Sequence, residues 1–357
     1  MFTLDKRELT RTMINLITVK LLLTFPREMV VSAGSAAWLQ SIFVTIVVLS
    51  FYVLTYKIYN TNQNIITISR RIGGKGLQIV TGILLSGLLL VNMALTMRAF
   101  PESVRIVLLQ NASRDFIMVL LIAAVIVGAY NGLEALVRIE SLFLPIMGVI
   151  MVFFLILMLP FAHLTNLFPI LGNGAEEIFG NGFRFVSAFA DILVLNYLMP
   201  LCPDKETAYK SGLKAILISG GIMTVVNLGY CLVYPYPVSE EFIMPVYQLT
   251  RMIRIGDFLA QFDAFFEFIW IIAMLLYTAV YISVICRIWQ DTFELKYDKP
   301  LIMSVSICAA VIAFVPSSIV SLISTYMKFL NIFYPIAFLL PFVMGIAYWI
   351  KQRRELP

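Results

Sequence analysis

Two ionisable residues stand in segments that are otherwise apolar. Lys20 lies in TVKLLLTFPREMVVSAGSAAW (18–38) and Asp191 in FRFVSAFADILVLNYLMP (183–200). A charge at the centre of a bilayer costs roughly 2.5–3.5 kcal/mol on insertion scales, so each residue needs a partner or a task. The Lys20 ammonium could bind a ligand carboxylate, mimic a coupling cation, or pair with Asp191. Alternatively it snorkels to the interface. The Asp191 carboxylate could hold a substrate ammonium, take up a proton, or form an ion pair with Lys20 or Arg184. Pro26 suits the first turn of an outer half-helix, Arg27 and Glu28 follow it in a structural role, and Glu28 complements that helix dipole. Gly34 then reads as the end of the half-helix, before Ser35 and Trp38 open the next segment.

Other polar groups recur at helical spacing. Asp263, Glu267, Trp270, Met274, Tyr277 and Tyr281 are 4, 3, 4, 3 and 4 residues apart and share one helical face. From Glu267 to Tyr281 this stripe could line a polar path, or the tyrosines could simply bond across helices. Asn92 and Thr96 follow the small pair Gly82 and Ser86 and could reach a central cavity, while the small pair itself reads as close packing. Gly220, Gly221, Thr224 and Asn227 read as packing residues, and Arg138 with Glu140 as a gate or an anchor at one membrane face.

The elements that position these groups must be membrane helices. Of 357 residues 61% are hydrophobic and only 13% charged, with a mean hydropathy of +0.92. Soluble chains carry about a quarter charged residues, so lipid is the solvent here. Spans of roughly 20 apolar residues are predicted at 9–33, 37–59, 77–99, 115–131, 134–160, 183–201, 211–234, 257–289, 300–320 and 329–350. Runs such as RRIGGKG (70–76), PESVRIVLLQNASRD (101–115), NGAEE (173–177), PDKETAYKSG (203–212) and QDTFELKYDKP (290–300) read as loops between them. On this division 17 of the 26 Lys and Arg share the side of the N-terminus and 8 lie opposite, with Lys20 inside. The positive-inside bias makes both termini cytoplasmic. No repeat is visible as identity. The interruptions in segments 1 and 6, five apart, are nonetheless what an inverted-repeat transporter shows around a midplane site.

Several chemistries are not expected. Cys202, Cys231, Cys286 and Cys308 are scattered, so no metal or redox site is expected. RIGGKG (71–76) lacks P-loop spacing, and there is no nucleophile–histidine pair, so neither an enzyme nor a cofactor is expected. His163 sits in a loop. The net charge of +5 needs no nucleic acid to explain it, and no signal peptide is apparent at the polar N-terminus.

NGLEALVRIESLFLPI (131–146) and PVYQLTRMIRIGDFLAQFDAFFEFIW (245–270), together with PREMVVSAGSAAW (26–38), NLFPILGNG (166–174) and the Asp191-to-Pro200 spacing, resemble the B subunits of spore germination nutrient receptors (GerA-type) from Thr10 to Arg354. That family belongs to the amino acid–polyamine–organocation superfamily. The resemblance implies an all-α polytopic protein of ten helices with a LeuT-type five-plus-five inverted repeat, helices 1 and 6 broken, and repeats at 9–160 and 183–350 within one domain (1–357). It implies the inner membrane of a bacterial endospore, partner A and lipoprotein C subunits, and a germinant that is often an amino acid. Its carriers place a glycine-rich triplet before the proline of helix 1. Here that triplet is Val19, Lys20 and Leu21, without glycine, which argues against a carrier's backbone cradle for a carboxylate. The expected cavity comprises Thr18, Lys20, Leu21, Thr24, Asn92, Thr96, Phe189 and Asp191. A germinant-sensing subunit is the leading reading. A proton-coupled amino acid transporter and a ligand-gated ion pathway are the alternatives.

Overall fold

The computed structural model describes residues 3–59, 61–253 and 262–355. Helix α1 (Lys6–Leu21) opens on a capping box: Arg7 N–H donates to Asp5 Oδ2 at 3.3 Å and Asp5 N–H to Glu8 Oε2 at 3.0 Å. It stops at Leu21, and a turn leads to α2 (Phe25–Ala33), whose first turn holds Pro26. A proline there has no N–H to leave unpaired. Gly34 ends α2 at φ +62°, a conformation glycine adopts without steric cost. The stretch NLFPILGNG closes over this end. Asn173 N–H donates to Ala33 O at 3.2 Å, its side-chain amide to Ser32 O at 3.0 Å, and Ser35 Oγ to Pro169 O at 2.5 Å.

The chain continues through α3 (Ala37–Ile58), α4 (Ile65–Val107), α5 (Arg114–Tyr130) and α6 (Leu133–Met158). A 3-10 turn at Asn181–Phe189 leads across Ala190 and Asp191 into the short α7 (Ile192–Leu198), so segment 6 is broken like segment 1. Helices α8 (Lys205–Val233), α9 (Pro245–Met252), α10 (Phe262–Phe293), α11 (Leu301–Phe314) and α12 (Ile319–Glu355) complete the order. No strand occurs among the described residues. The Ile-Gly-Asp-Phe run of the 245–270 stretch, and the start of the predicted span 257–289, lie outside them.

Some predicted loops are partly helical. RRIGGKG does interrupt the helix: α4 leaves helical φ/ψ at Gly73 and at Gly74 (φ +71°), so a short stretch starting at Ile65 and a long one ending at Val107 meet at a kink there. The same helix runs on through Pro101 to Val107, because a bundle can re-satisfy the carbonyl that proline frees. PDKETAYKSG is mostly the first turns of α8, capped by Asp204, whose carboxyl is held below its ordinary range by the Thr207 N–H at 2.6 Å. Segment 10 begins at Ile319 instead of 329. Seven helical stretches are long and apolar enough to cross a membrane: 25–58, 65–107, 133–161, 176–201, 205–233, 263–293 and 319–353. The predicted spans 9–33, 115–131 and 300–320 contain shorter helices, of 16 and 9, 17 and 14 residues, so length and composition alone do not count ten.

Helix α1 sits centrally, packed on α6, α8, α10 and the 3-10 turn, while α4 lies along α10 and α3 along α8. Small residues permit these approaches. Gly82 receives Thr292 of α10, and Gly220 receives Thr45 of α3, leaving no room for a Cβ at either. Asn227 donates to Ser41 Oγ at 2.7 Å across the α3–α8 seam. Leu142 and Val149 of α6 are 74% and 70% exposed, as befits a face turned to lipid.

Candidate functional site

The two breaks meet. Asp191 begins α7 without using its side chain to cap that helix, which leaves Oδ2 for α1 and Oδ1 for α4 and α10. Lys20, one residue before the end of α1, forms an ion pair with Asp191, and both side chains are fully buried. The ammonium also approaches Ser187 O, in the 3-10 turn, at 3.5 Å. Arg184, the other partner considered for Asp191, instead lies over the Phe185 ring at 4.8 Å.

A shell of neutral donors completes the centre. Tyr281 of α10 donates its hydroxyl to Asp191 Oδ1, and the Asn92 amide of α4 donates to the same oxygen at 3.0 Å. Asn92 also lies 3.1 Å from the Tyr281 hydroxyl and 3.4 Å from that of Tyr277. Tyr326 of α12 reaches Asn92 Oδ1 at 3.4 Å, and Thr96 Oγ1 bonds to Asn92 O at 2.9 Å and to Tyr326 at 3.2 Å. Five elements thus hold one neutralised pair of charges in a dry interior. Such a pair is costly to break on one side, because the remaining charge stays buried without a partner.

Of the expected cavity residues, Lys20, Asn92, Thr96 and Asp191 come together in this cluster, joined by Tyr277 and Tyr281 from the predicted polar path. Leu21 and Phe189 are buried beside it in the apolar core. Thr18 is turned away, 3.2 Å from Ser219 of α8. Thr24 sits past the break, in a cavity of about 30 Å³ with Leu95, Thr96, Ala99 and Tyr326. Glu267 is buried on the same face of α10, but between it and Tyr277 the stripe is occupied by Trp270, stacked on Phe100 at 6.1 Å, and by buried Met274.

Three features escape the sequence reading. Tyr326 falls in a predicted loop, yet it closes the cluster. Arg98 is fully buried and pairs with Glu102 at 3.0 Å, a contact that the i, i+4 spacing could have suggested. Arg138 and Glu140 separate: Arg138 is exposed and pairs with Glu134 at 2.6 Å, whereas Glu140 is buried, accepting from the Asn15 amide at 2.7 Å. Its Oε2 has no partner among the described residues. Among the described residues no three His, Cys, Asp or Glu side chains cluster as metal ligands.

This architecture is that of the LeuT-type transporters. The structure of MHP1, a nucleobase-cation-symport-1 family transporter, closed with bromovinylhydantoin bound, superposes with a TM-score of 0.71 at 14% identity, covering 97% of this chain and 79% of that one. In sequence the chain is similar to spore germination protein A2 of Bacillus subtilis (23% identity, 93% of this chain and 92% of that protein). It is also similar to the putative spore germination protein YfkT of the same organism (24% identity, 72% of each). The molecule is a multi-pass membrane protein, and because the family model for spore germination proteins matches residues 3–321, the chain belongs to the spore germination protein family.

Proposed function

We propose that this chain is the membrane subunit of a nutrient germinant receptor and that it senses a small zwitterion, an amino acid above all, at the Lys20–Asp191 centre. The observation that carries this reading is the internal ion pair at the junction of the two broken helices. A free amino acid bears the same two charges and can exchange with the pair, its carboxylate meeting Lys20 and its ammonium meeting Asp191. The exchange replaces one neutral arrangement by another, so it leaves no buried charge unpaired. It also uncouples α1 from α7, which is the differential contact a two-state signal requires. The small cavity at Thr24 is lined by Thr96 and Tyr326 of the surrounding shell and is where a ligand side chain would begin to fit. Family membership supports a role in germination, in the spore inner membrane beside A and C partner subunits, and the Lys and Arg bias supports cytoplasmic termini. The two five-helix repeats, 9–160 and 183–350, would rock about this centre.

The test is reconstitution in sealed proteoliposomes with a panel of labelled amino acids, scoring bound and accumulated label separately. Saturable binding without accumulation is expected. Accumulation driven by an imposed proton gradient would make the chain a transporter instead.

A further inference from the structure

Beside the cluster lies an open groove of about 610 Å³. Its floor is one face of α1, from Lys6 through Ile14 and Thr18, and its walls are α6 and α8, which both pack on α1 but scarcely touch one another. Met147, Gly148 and Met151 line one wall, and Ile218 and Ile222 the other. Four cations, Lys6, Arg7, Arg11 and Lys214, line the groove, and no carboxylate does. Three of them sit in the first turns of α1, and Lys214 lies three residues past Ser211, whose hydroxyl donates to Lys6 O at 3.1 Å, so all four gather at one end. Asp5 and Glu8, the nearby acids of α1, are occupied in its capping box. Arg11 is fixed by the Ser141 carbonyl at 2.5 Å. Lys6, Arg7 and Lys214 take part in no ion pair among the described residues.

An apolar slot with a cluster of unpaired cations at its membrane-surface end matches one chemistry. An acyl chain fits between α6 and α8, and an anionic phosphate headgroup fits the basic end. We infer that this groove holds an anionic phospholipid of the surrounding bilayer. Seated there, the lipid braces the inner half of α1 directly below its break. The deep end of the groove reaches Val19 and Trp270, whose indole approaches the Val19 carbonyl at 3.5 Å. Nothing in this lipid site depends on the ligand chemistry proposed for Lys20 and Asp191.

The experiment measures thermal stability of the purified full chain in detergent while phosphatidylglycerol, phosphatidylcholine or soluble glycerol phosphate is titrated in. Wild type is expected to be stabilised by phosphatidylglycerol alone. Replacing Lys6, Arg7 and Lys214 together by Gln should weaken that apparent affinity about a hundredfold, at roughly 1 kcal/mol per cation. A second variant, Gly148→Phe, keeps every charge and fills the slot. A Cβ at Gly148 meets nothing within 4 Å, so the variant should fold and still lose the lipid effect. Equal stabilisation by phosphatidylcholine would overturn the proposal. So would stabilisation by glycerol phosphate that survives Gly148→Phe, an undiminished phosphatidylglycerol effect in either variant, or no effect on wild type.

Discussion

Helix α1 carries two buried polar centres five residues apart, roughly 7.5 Å along the helix, and they are built differently. At Lys20 two opposite charges face each other where two helices break, and tyrosine and amide donors complete the shell. At Asn15 a single carboxylate, Glu140, meets an amide that also reaches Ala273 O at 3.2 Å, and no cation among the described residues pairs with it. The upper centre connects broken elements and balances its own charge, which is why a ligand of matching charges is proposed to take its place there. The lower centre joins α1, α6 and α10 at points where each helix is continuous, and an amide–carboxylate contact there serves to hold them together. The proposed exchange therefore rests on paired charge at a break in the backbone and not on burial, which both centres share.

The largest expected effect tests the charge balance. Lys20→Met leaves Asp191 buried and unpaired and should destabilise the protein by about 3–5 kcal/mol while abolishing the germinant response. Adding Asp191→Leu should restore most of the stability and none of the response. Unfolding in detergent reads the first quantity and a ligand dose series the second. A single variant as stable as wild type would remove the distinction between the two centres. Next, Tyr281→Phe deletes one of the two neutral donors to Asp191 Oδ1, and about 1.5–3 kcal/mol should be lost, with a shifted dose response as the second reading.

The lower centre should answer more weakly and without touching the ligand response. Asn15→Ala strands Glu140 Oε1, a loss of about 1–3 kcal/mol, whereas Glu140→Gln keeps the shape and should stay within about 1 kcal/mol of wild type. If Glu140→Gln abolished the proposed ligand response, the lower centre would belong to the site. Smallest of all, Arg138→Ala removes a pair that is 66% and 43% exposed, and a change of about 0–1 kcal/mol is expected.

What the sequence made legible follows from which rules its residues break. Lys20, Pro26, Gly34 and Asp191 each violate the grammar of a lipid-spanning helix, so the two interruptions and the charges at them stand out from residue types alone. Helix ends are less legible. Gly73, Gly74 and Pro101 are all residues that usually terminate helices, yet only the glycine pair interrupts α4, while the helix runs on through Pro101. Tyr326 is hidden for the converse reason, since Lys328 and the polar run before it resemble a loop while α12 begins at Ile319. Arg138 and Glu140 differ only in facing, two residues or about 200° apart on a helix, and facing needs the neighbours to be known. Pairing across helices, as between Asn15 and Glu140 or Asn92 and Asp191, leaves no periodic trace in one chain.

The most direct measurement is equilibrium binding of labelled amino acids to proteoliposomes holding wild type or the Lys20→Met/Asp191→Leu chain at matched stability. Exchange with the ion pair requires saturable binding to wild type and none to the double variant. Equal saturable binding to both would show that the ligand sits elsewhere and would contradict the account.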